Sequence, residues 1–220
     1  VGSLIALKVK MTSIPEMVAL FNGFGGLATF FIAWSEFNSV PDNTFQYVLI
    51  MLTTYIGGVT FSGSIVAYGK LSEKLKIQKT SVITKLFTTV FYVSLAFLLY
   101  TILITPSIIP NFEFFTVLLV LTLLGGIGFV IPIGGGDMPV VISLLNSFSG
   151  IAAAFAGLLL LNNVLIVAGS LVGASGLILT VIMAKAMNRS IGNILFVGYA
   201  SSTSGAKSEE TGEVKPINVS

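Results

Sequence analysis

The sequence contains neither cysteine nor histidine, and only 9% of its 220 residues are charged. The missing cysteine excludes disulfides and thiolate metal sites. The missing histidine removes the side chain that ordinarily titrates near neutral pH. An average soluble domain is about 25% charged, so this composition argues against a soluble domain. The net charge of +2 is too small to indicate a nucleic-acid partner.

Apolar residues make up 55% of the chain, and its mean hydropathy is +1.00. The long apolar runs are each near the ~20 residues that a helix needs to cross a bilayer. Turn-forming residues such as Pro41-Asp42-Asn43, Pro106 to Pro110 and Asn162-Asn163 separate them. We therefore predict an all-α, polytopic transmembrane helix bundle. Its six predicted spans are 14–34, 44–68, 82–104, 113–133, 138–160 and 164–184.

The character of the chain changes after the last span. Residues 1–186 are predicted to form the transmembrane domain. Residues 187–220 are predicted to be a polar, hydrated linker toward a soluble domain, because serine, glycine and charged residues replace the apolar ones. The apolar stretch 1–7 is interpreted as the end of another helix or as a boundary of the fragment.

Lysine and arginine lie on alternate connections, which indicates the orientation of the bundle. They precede the first span, fill the connection between the second and third spans, and follow the sixth. The connections after the first, third and fifth spans contain neither residue. We therefore expect both termini, and the acid Asp137, on the cytoplasmic side.

The stretch Gly134-Gly135-Gly136-Asp137 stands between two apolar runs, and no charged residue follows from Met138 to Ala184. Asn146 is a strongly polar side chain inside that uncharged block. Polar groups at membrane depth usually face a bundle interior or a water-filled cavity. An acid at the mouth of the helix and an amide further in therefore suggest a polar path, with the glycines as a hinge.

The first and fifth spans share a register that indicates an internal repeat. Pro15, Asn22 and Gly26 correspond to Pro139, Asn146 and Gly150. Each asparagine lies seven residues after its proline, about 10 Å along the helix axis. Two amides at one depth, with Ser143, Ser147 and Ser149 near one of them, could hold a file of waters. Interhelical hydrogen bonding by the same side chains is the alternative interpretation, and it is common for Asn and Ser in helix bundles.

Four stretches together resemble one known family. They read Gly135-Gly-Asp-Met-Pro-Val-Val-Ile-Ser-Leu-Leu-Asn146, Gly169-Ser-Leu-Val-Gly-Ala-Ser-Gly176, Lys185-Ala-Met-Asn-Arg189 and Val59-Thr-Phe-Ser-Gly-Ser-Ile-Val-Ala-Tyr-Gly-Lys70. They resemble the membrane domain of the β subunit of proton-translocating nicotinamide nucleotide transhydrogenase, and the resemblance covers nearly the whole chain.

The resemblance implies a function in energy coupling. The family transfers hydride from NADH to NADP⁺ and couples this to proton entry. It implies that NAD(H) and NADP(H) bind soluble domains outside this chain, so no hydride-transfer residue and no metal site are expected here. The implied partners are the lipid bilayer, the α-subunit membrane helices with their NAD(H)-binding domain, and the NADP(H)-binding domain of the β subunit. The implied assembly is a homodimer of the αβ unit in the inner (plasma) membrane.

The resemblance also suggests roles for individual residues. The implied proton path consists of Asn22, Asp137, Asn146, Ser147 and Ser175. The implied contact with the NADP(H) domain consists of Gly135, Gly136, Asp137, Lys185, Asn188 and Arg189.

Two positions depart from the family pattern. Many members have a histidine at position 22, and an asparagine cannot titrate at physiological pH. Either another subunit supplies the titrating group, or Asp137 titrates while waters and the two amides conduct. Ala174 replaces a serine found in many members.

Two other functions fit an uncharged bundle with a buried amide pair. A secondary transporter or channel for a small solute would have broken helices meeting near the membrane midplane. A scaffold subunit would have no continuous polar path.

Overall fold

The computed structural model describes residues 11–39, 43–75, 82–104 and 112–195. Within these ranges the chain is helical, without strands, and six helices are long and apolar enough to cross a membrane. They are α1 (Ile14–Asn38), α2 (Thr44–Leu71), α3 (Val82–Ile104), α4 (Phe112–Val130), α5 (Met138–Leu159) and α6 (Asn163–Ala186), followed by the short helix α7 (Ile191–Leu195). The predicted all-α class with six membrane-capable helices is confirmed.

Local signals in the sequence explain where these helices begin. Pro15 and Pro139 stand in the first turns of α1 and α5, where the missing N–H is not needed by the helix. The Asn43 side chain accepts a hydrogen bond from the Gln46 N–H at 2.8 Å, and Asn162 accepts from Leu165 N–H at 3.1 Å. Both asparagines therefore act as N-caps. Pro41 and Asp42 of the first predicted turn, and the whole predicted turn at 106–110, lie outside the described residues.

Helix α2 is the centre of the bundle. Within the most apolar 18-residue stretch of each helix, 72% is buried in α2, compared with 17% in α3 and 22% in α6. It packs against α1, α4 and α5, while α3 lies outside α4 and α6 lies outside α5. The outer faces of α3 and α6 are covered with exposed apolar side chains such as Leu103 and Leu171, as expected of helices that meet lipid or another subunit.

Glycines let α1 and α2 approach closely, as do α5 and α6. A Cβ on Gly26 would lie 2.8 Å from the Gly57 carbonyl oxygen and 3.0 Å from the Thr60 Cβ. A Cβ on Gly150 would lie 2.9 Å from the Gly173 Cα. Gly26 and Gly150 are the residues that the proposed repeat aligns, so both helix pairs are packed around the same position of the repeat.

The residues predicted to contact the NADP(H) domain lie at one end of the bundle. The start of α1, the start of α5 and the end of α6 meet there, because Pro15, Pro139 and Met183 line one groove. The lysine at the end of α2 reaches the carbonyls at the end of α4. We call this the Asp137 end.

The α4–α5 connection is residues 131–137. It leaves α4 earlier than predicted, at Val130 rather than at residue 133, and finishes in a 3₁₀ turn over Gly135–Asp137. Within the stretch predicted as linker, Ile194 of α7 is buried with Ala184 and Met138. Residues 196–220, the rest of the predicted linker, lie outside the described residues.

Candidate functional site

A polar node joins three helices inside the bundle. The Asn22 amide donates from Nδ2 to the Ser64 hydroxyl at 3.0 Å, and the Ser149 hydroxyl donates to Asn22 Oδ1 at 2.8 Å. Asn22 lies on α1, Ser64 on α2 and Ser149 on α5. Asn22 is only 9% exposed. We call these three residues the Asn22 node.

The node is uncharged, and both ends of the Asn22 amide are used. A buried polar group costs roughly 1–3 kcal/mol when it has no partner. Here the carbonyl accepts one hydrogen bond and the amino group donates another. The node therefore fixes the rotation of α1 against α2 and α5. The same hydroxyls and amide can also bind and orient water, because each retains acceptor capacity.

Asn146 lies next to the node but is not part of it. Its backbone carbonyl lies 2.8 Å from the Ser149 hydroxyl and is the alternative acceptor for that single O–H. Its side chain is half-buried and, among the described residues, has no hydrogen-bond partner. The Asn146 amide instead lines a groove of about 400 Å³. The other lining residues are Ile14, Pro15, Val18, Pro139, Ile142, Ser143, Leu179 and Met183.

The structure thus places the two predicted amides on either side of Ser149. One faces the bundle interior and the other faces a groove that leads to the Asp137 end. The groove is otherwise mostly apolar, so the Asn146 amide and the Ser143 hydroxyl are its polar groups. Ser149 therefore contacts Asn22 and the Asn146 backbone, while the Asn146 amide faces the groove.

The α5–α6 interface contains a second set of hydroxyls. Ser147 is fully buried and donates to the Gly173 carbonyl at 2.6 Å. Ser143 donates to the Gly176 carbonyl at 3.3 Å, and Thr180 lies 3.2 Å from the Ser143 hydroxyl. Ser147 therefore joins two helices and lies outside the node.

Ser175 does not reach the node. It is exposed on the outer face of α6, and its hydroxyl bonds to the Val172 carbonyl of its own helix at 3.2 Å. Gly173 and Gly176 face α5, so Ser175, which lies between them in sequence, points away from α5. A helix turns about 100° per residue, which is why a neighbour of a packing glycine can lie on the opposite side.

Asp137 is buried at the start of α5 and faces a basic residue from the end of α6. Its exposed fraction is 7%, and its Oδ1 lies 3.7 Å from Arg189 Nε. Its side chain makes no cap hydrogen bond to α5. More than half of the Arg189 side chain is exposed to solvent. The ion pair therefore stabilises the fold only slightly, by roughly up to 1 kcal/mol. The guanidinium keeps free N–H groups for another partner.

Asn188 directs Arg189 toward Asp137. The Asn188 backbone adopts the left-handed conformation, with φ of 53°. Its N–H bonds to the Lys185 carbonyl at 3.0 Å, and the Arg189 N–H bonds to the Ala184 carbonyl at 2.9 Å. These two bonds form a Schellman motif, and asparagine is one of the few residues other than glycine that tolerates its left-handed position. In this chain Asn188 therefore acts through its backbone.

The remaining residues predicted to contact the soluble domain are exposed at the Asp137 end. They are Gly135, Gly136 and Lys185. Together with Arg189 and the buried carboxylate, they give this end a polar surface with both signs of charge. The structure therefore brings together Asp137, Arg189 and their neighbours, and holds them apart from the Asn22 node.

The sequence-based predictions missed two residues that matter to the site. Ser64 entered only within the stretch Val59–Lys70 of the family resemblance, although Gly57, Thr60 and Ser64 recur at helical spacing along the face of α2 that meets α1. Lys70 was read only as a loop charge. Its ammonium contacts the carbonyls of Val130, Ile131 and Ile133, and no sequence signal indicates that pairing.

No group of three or more His, Cys, Asp or Glu in the described ranges is arranged to hold a metal ion. The polar groups of the site are instead amides, hydroxyls and one acid–base pair. Six membrane-capable helices enclosing such a node define a multi-pass membrane protein with an internal polar seam.

Comparison with known proteins identifies the family. The family model described as "NAD(P) transhydrogenase beta subunit" matches residues 1–220, so the chain belongs to that family. It is 38% identical over 211 residues to NAD(P) transhydrogenase subunit beta from Rhodospirillum rubrum, over 91% of this chain and 45% of that protein. A sequence of the same name from a specified strain of that organism matches equally well. The chain thus spans about half the length of these curated relatives. The resemblance noted in the sequence is confirmed.

Proposed function

We propose that this chain is the proton-conducting membrane domain of a proton-translocating NAD(P) transhydrogenase, coupling inward proton movement to hydride transfer from NADH to NADP⁺. The Asn22 node carries the proposal. It is a hydrogen-bonded polar seam across three apolar helices. NAD(H) and NADP(H) are bound by soluble domains of the full enzyme, and residues 187–220 lead toward the NADP(H) domain.

The described residues support a division of labour along the proposed path. Asn146 binds water in the groove, Ser149 relays the hydrogen bond, and Asn22 with Ser64 extends it into α2. A hydroxyl relays a proton by accepting one on its lone pair and releasing its own to the next acceptor. An amide orients water and does not titrate at physiological pH. The proposed path leaves Ser175 out, because that hydroxyl faces away.

Asp137 and Arg189 form the proposed connection to the NADP(H) domain. They lie at the end of the bundle where the chain continues toward position 220. A carboxylate held by an exposed guanidinium can exchange that partner for a proton or for a group on a docked domain. Changes at the nucleotide site can therefore alter the contacts of Asp137 at the mouth of the path.

The proposed setting follows from the family. The chain would assemble with α-subunit membrane helices and an NAD(H)-binding domain, as a homodimer of αβ units in the inner (plasma) membrane. Helices α1 and α5 run without a break past their asparagines. This favours a proton domain over a solute transporter, in which broken helices would meet at the midplane.

The test is hydride transfer in sealed vesicles that contain the full enzyme, with internal pH followed at the same time. Hydride transfer to an NADP⁺ analogue should change the internal pH. Asp137→Asn should lower coupled turnover or NADP(H) affinity about tenfold, the size of a typical coupling between sites. Glu113→Gln, which removes an exposed carboxylate at the start of α4, should change neither.

A solute transporter would give no nucleotide-dependent pH change. An assembled Asp137→Asn enzyme with wild-type coupling and wild-type NADP(H) affinity would remove Asp137 from the proposal.

A further inference from the structure

The last turn of α2 carries a half-buried lysine that reaches across to another helix. Lys70 Nζ donates hydrogen bonds to the carbonyls of Val130, Ile131 and Ile133, at 3.0, 2.5 and 2.6 Å. These carbonyls end α4 and begin the α4–α5 connection. The contact therefore spans two elements that are far apart in sequence.

The chemistry of the two partners matches. The last carbonyls of a helix have no partner within it, and the helix dipole places partial negative charge there. A lysine ammonium has three N–H donors and no acceptor. Lysines often bond to the last carbonyls of their own helix. Here the lysine belongs to α2 and satisfies the end of α4.

The contact is close to Asp137 along the backbone. Ile133 precedes Gly134, whose carbonyl accepts a hydrogen bond from the Asp137 N–H at 3.1 Å. Gly135 and Gly136 lie between Gly134 and Asp137, and a Cβ added at either of these two glycines would meet nothing within 4 Å. The glycine turn has no side-chain packing of its own, so its place depends on what holds the residues on either side.

Helix α2 also carries the Asn22 node. Ser64 is six residues before Lys70, about 9 Å along the helix. A rigid helix therefore joins the hydroxyl at the node to the ammonium that holds the α4–α5 connection. A shift of α2 along its axis moves both.

We propose that Lys70 is a positioning residue, which holds the α4–α5 connection so that Asp137 faces Arg189, and which links that pair to the Asn22 node through α2. This rests on the proposed function for its effect on turnover, but not for its effect on the connection.

The experiment measures the connection and turnover in the same protein. This chain contains no cysteine, so Gly135→Cys gives a single labelling site within it, with room around the side chain. The full-length enzyme, with any cysteines outside this chain replaced by serine, is reconstituted in vesicles. A nitroxide on residue 135 reports the mobility of the connection, and coupled turnover is measured in parallel with and without the label.

The variants are Lys70→Met, which keeps the stem and removes the donors, and Lys70→Arg, which restores them. Lys74→Met is the matched control, because Lys74 is an exposed lysine at the same end that lies over the Tyr68 ring at 5.6 Å. Lys70→Met should mobilise the label and lower turnover about tenfold, as small misplacements of a positioned group can cost up to 100-fold. Lys70→Arg should recover most of both, and Lys74→Met should stay within about twofold.

Three outcomes would overturn the proposal. One is an unchanged label spectrum in Lys70→Met, whatever happens to turnover. Another is an equal effect of Lys74→Met. The third is failure of both Lys70→Met and Lys70→Gln to assemble, which would make the contact one that folding requires. If Asp137→Asn left coupling intact, the proposed function would lose its acid, while the label spectrum would still decide the role of Lys70.

Discussion

At the residue scale, Asn22 is an uncharged side chain at the centre of the proposed proton path. Both ends of its amide are hydrogen-bonded, since it accepts from Ser149 and donates to Ser64. It can orient a relay, but it cannot store a proton. The storing group must therefore lie elsewhere, and Asp137 is the buried acid of the described residues at the end of the groove.

The role of the Asn188 backbone can be tested separately from any role of its side chain. Its left-handed backbone, with φ of 53°, suits glycine, whereas a β-branched residue there is strained by roughly 1–2 kcal/mol. Asn188→Gly should keep coupled turnover, and Asn188→Val should lower it severalfold by misdirecting Arg189. Turnover of the two reconstituted variants is the measurement.

The opposite pattern would be informative. Equal losses in the glycine and valine variants would mean that the Asn188 amide itself contacts a partner domain. The backbone account of this position would then be wrong.

At the element scale, close helix packing holds the node together. A Cβ at Gly26 would lie 2.8 Å from the Gly57 carbonyl and 2.9 Å from the Phe61 nitrogen, whereas one at the adjacent Gly25 would meet nothing within 4 Å. The close approach of α1 and α2 therefore requires glycine at position 26 but not at position 25.

This difference gives a matched pair of variants. Gly26→Ala should force α1 and α2 apart and destabilise the protein by about 1–3 kcal/mol. Gly25→Ala should be neutral or slightly stabilising, because alanine favours the helix. The check is thermal unfolding of the purified enzyme in detergent. Similar midpoints for the two variants would show that the seam is not tightly packed.

The sequence was sufficient to predict the six helices, although not every end, since α4 stops at Val130 rather than at residue 133. Apolar runs of membrane length gave the six spans, and Asn43 and Asn162 marked helix starts because their side chains cap them. The shared proline–asparagine register predicted that Asn22 and Asn146 lie at one depth. These features are local, so they can be read along the chain.

The faces of the helices could not be predicted in the same way. The helices are apolar nearly all round, so no polar stripe shows which side faces inward. Ser175 was expected on the path and lies outside, while Ser64 was overlooked and lies at the node. The reach of Lys70 to α4 depends on how two helices pack, which no pattern within either helix encodes.

At the scale of the whole molecule, the bundle separates two tasks and joins them through α2. The Asn22 node lies in the interior, and the Asp137–Arg189 pair lies at the end that leads toward residues 196–220. A groove lined by Asn146 and Pro139 runs beside α5 at the Asp137 end. In the proposed enzyme, protons cross through the first region while the second senses the state of the nucleotide domain.

The most direct measurement of this account is proton uptake into sealed vesicles during hydride transfer, for Asn22→Leu, Asn22→His and Asn38→Leu. Asn38 is an exposed asparagine at the other end of α1, so its variant is the control. Asn22→Leu should lower uptake about 100-fold, the contribution of one well-placed relay group, while Asn22→His and Asn38→Leu should remain active. Wild-type uptake by an assembled Asn22→Leu enzyme would contradict a proton path through the node.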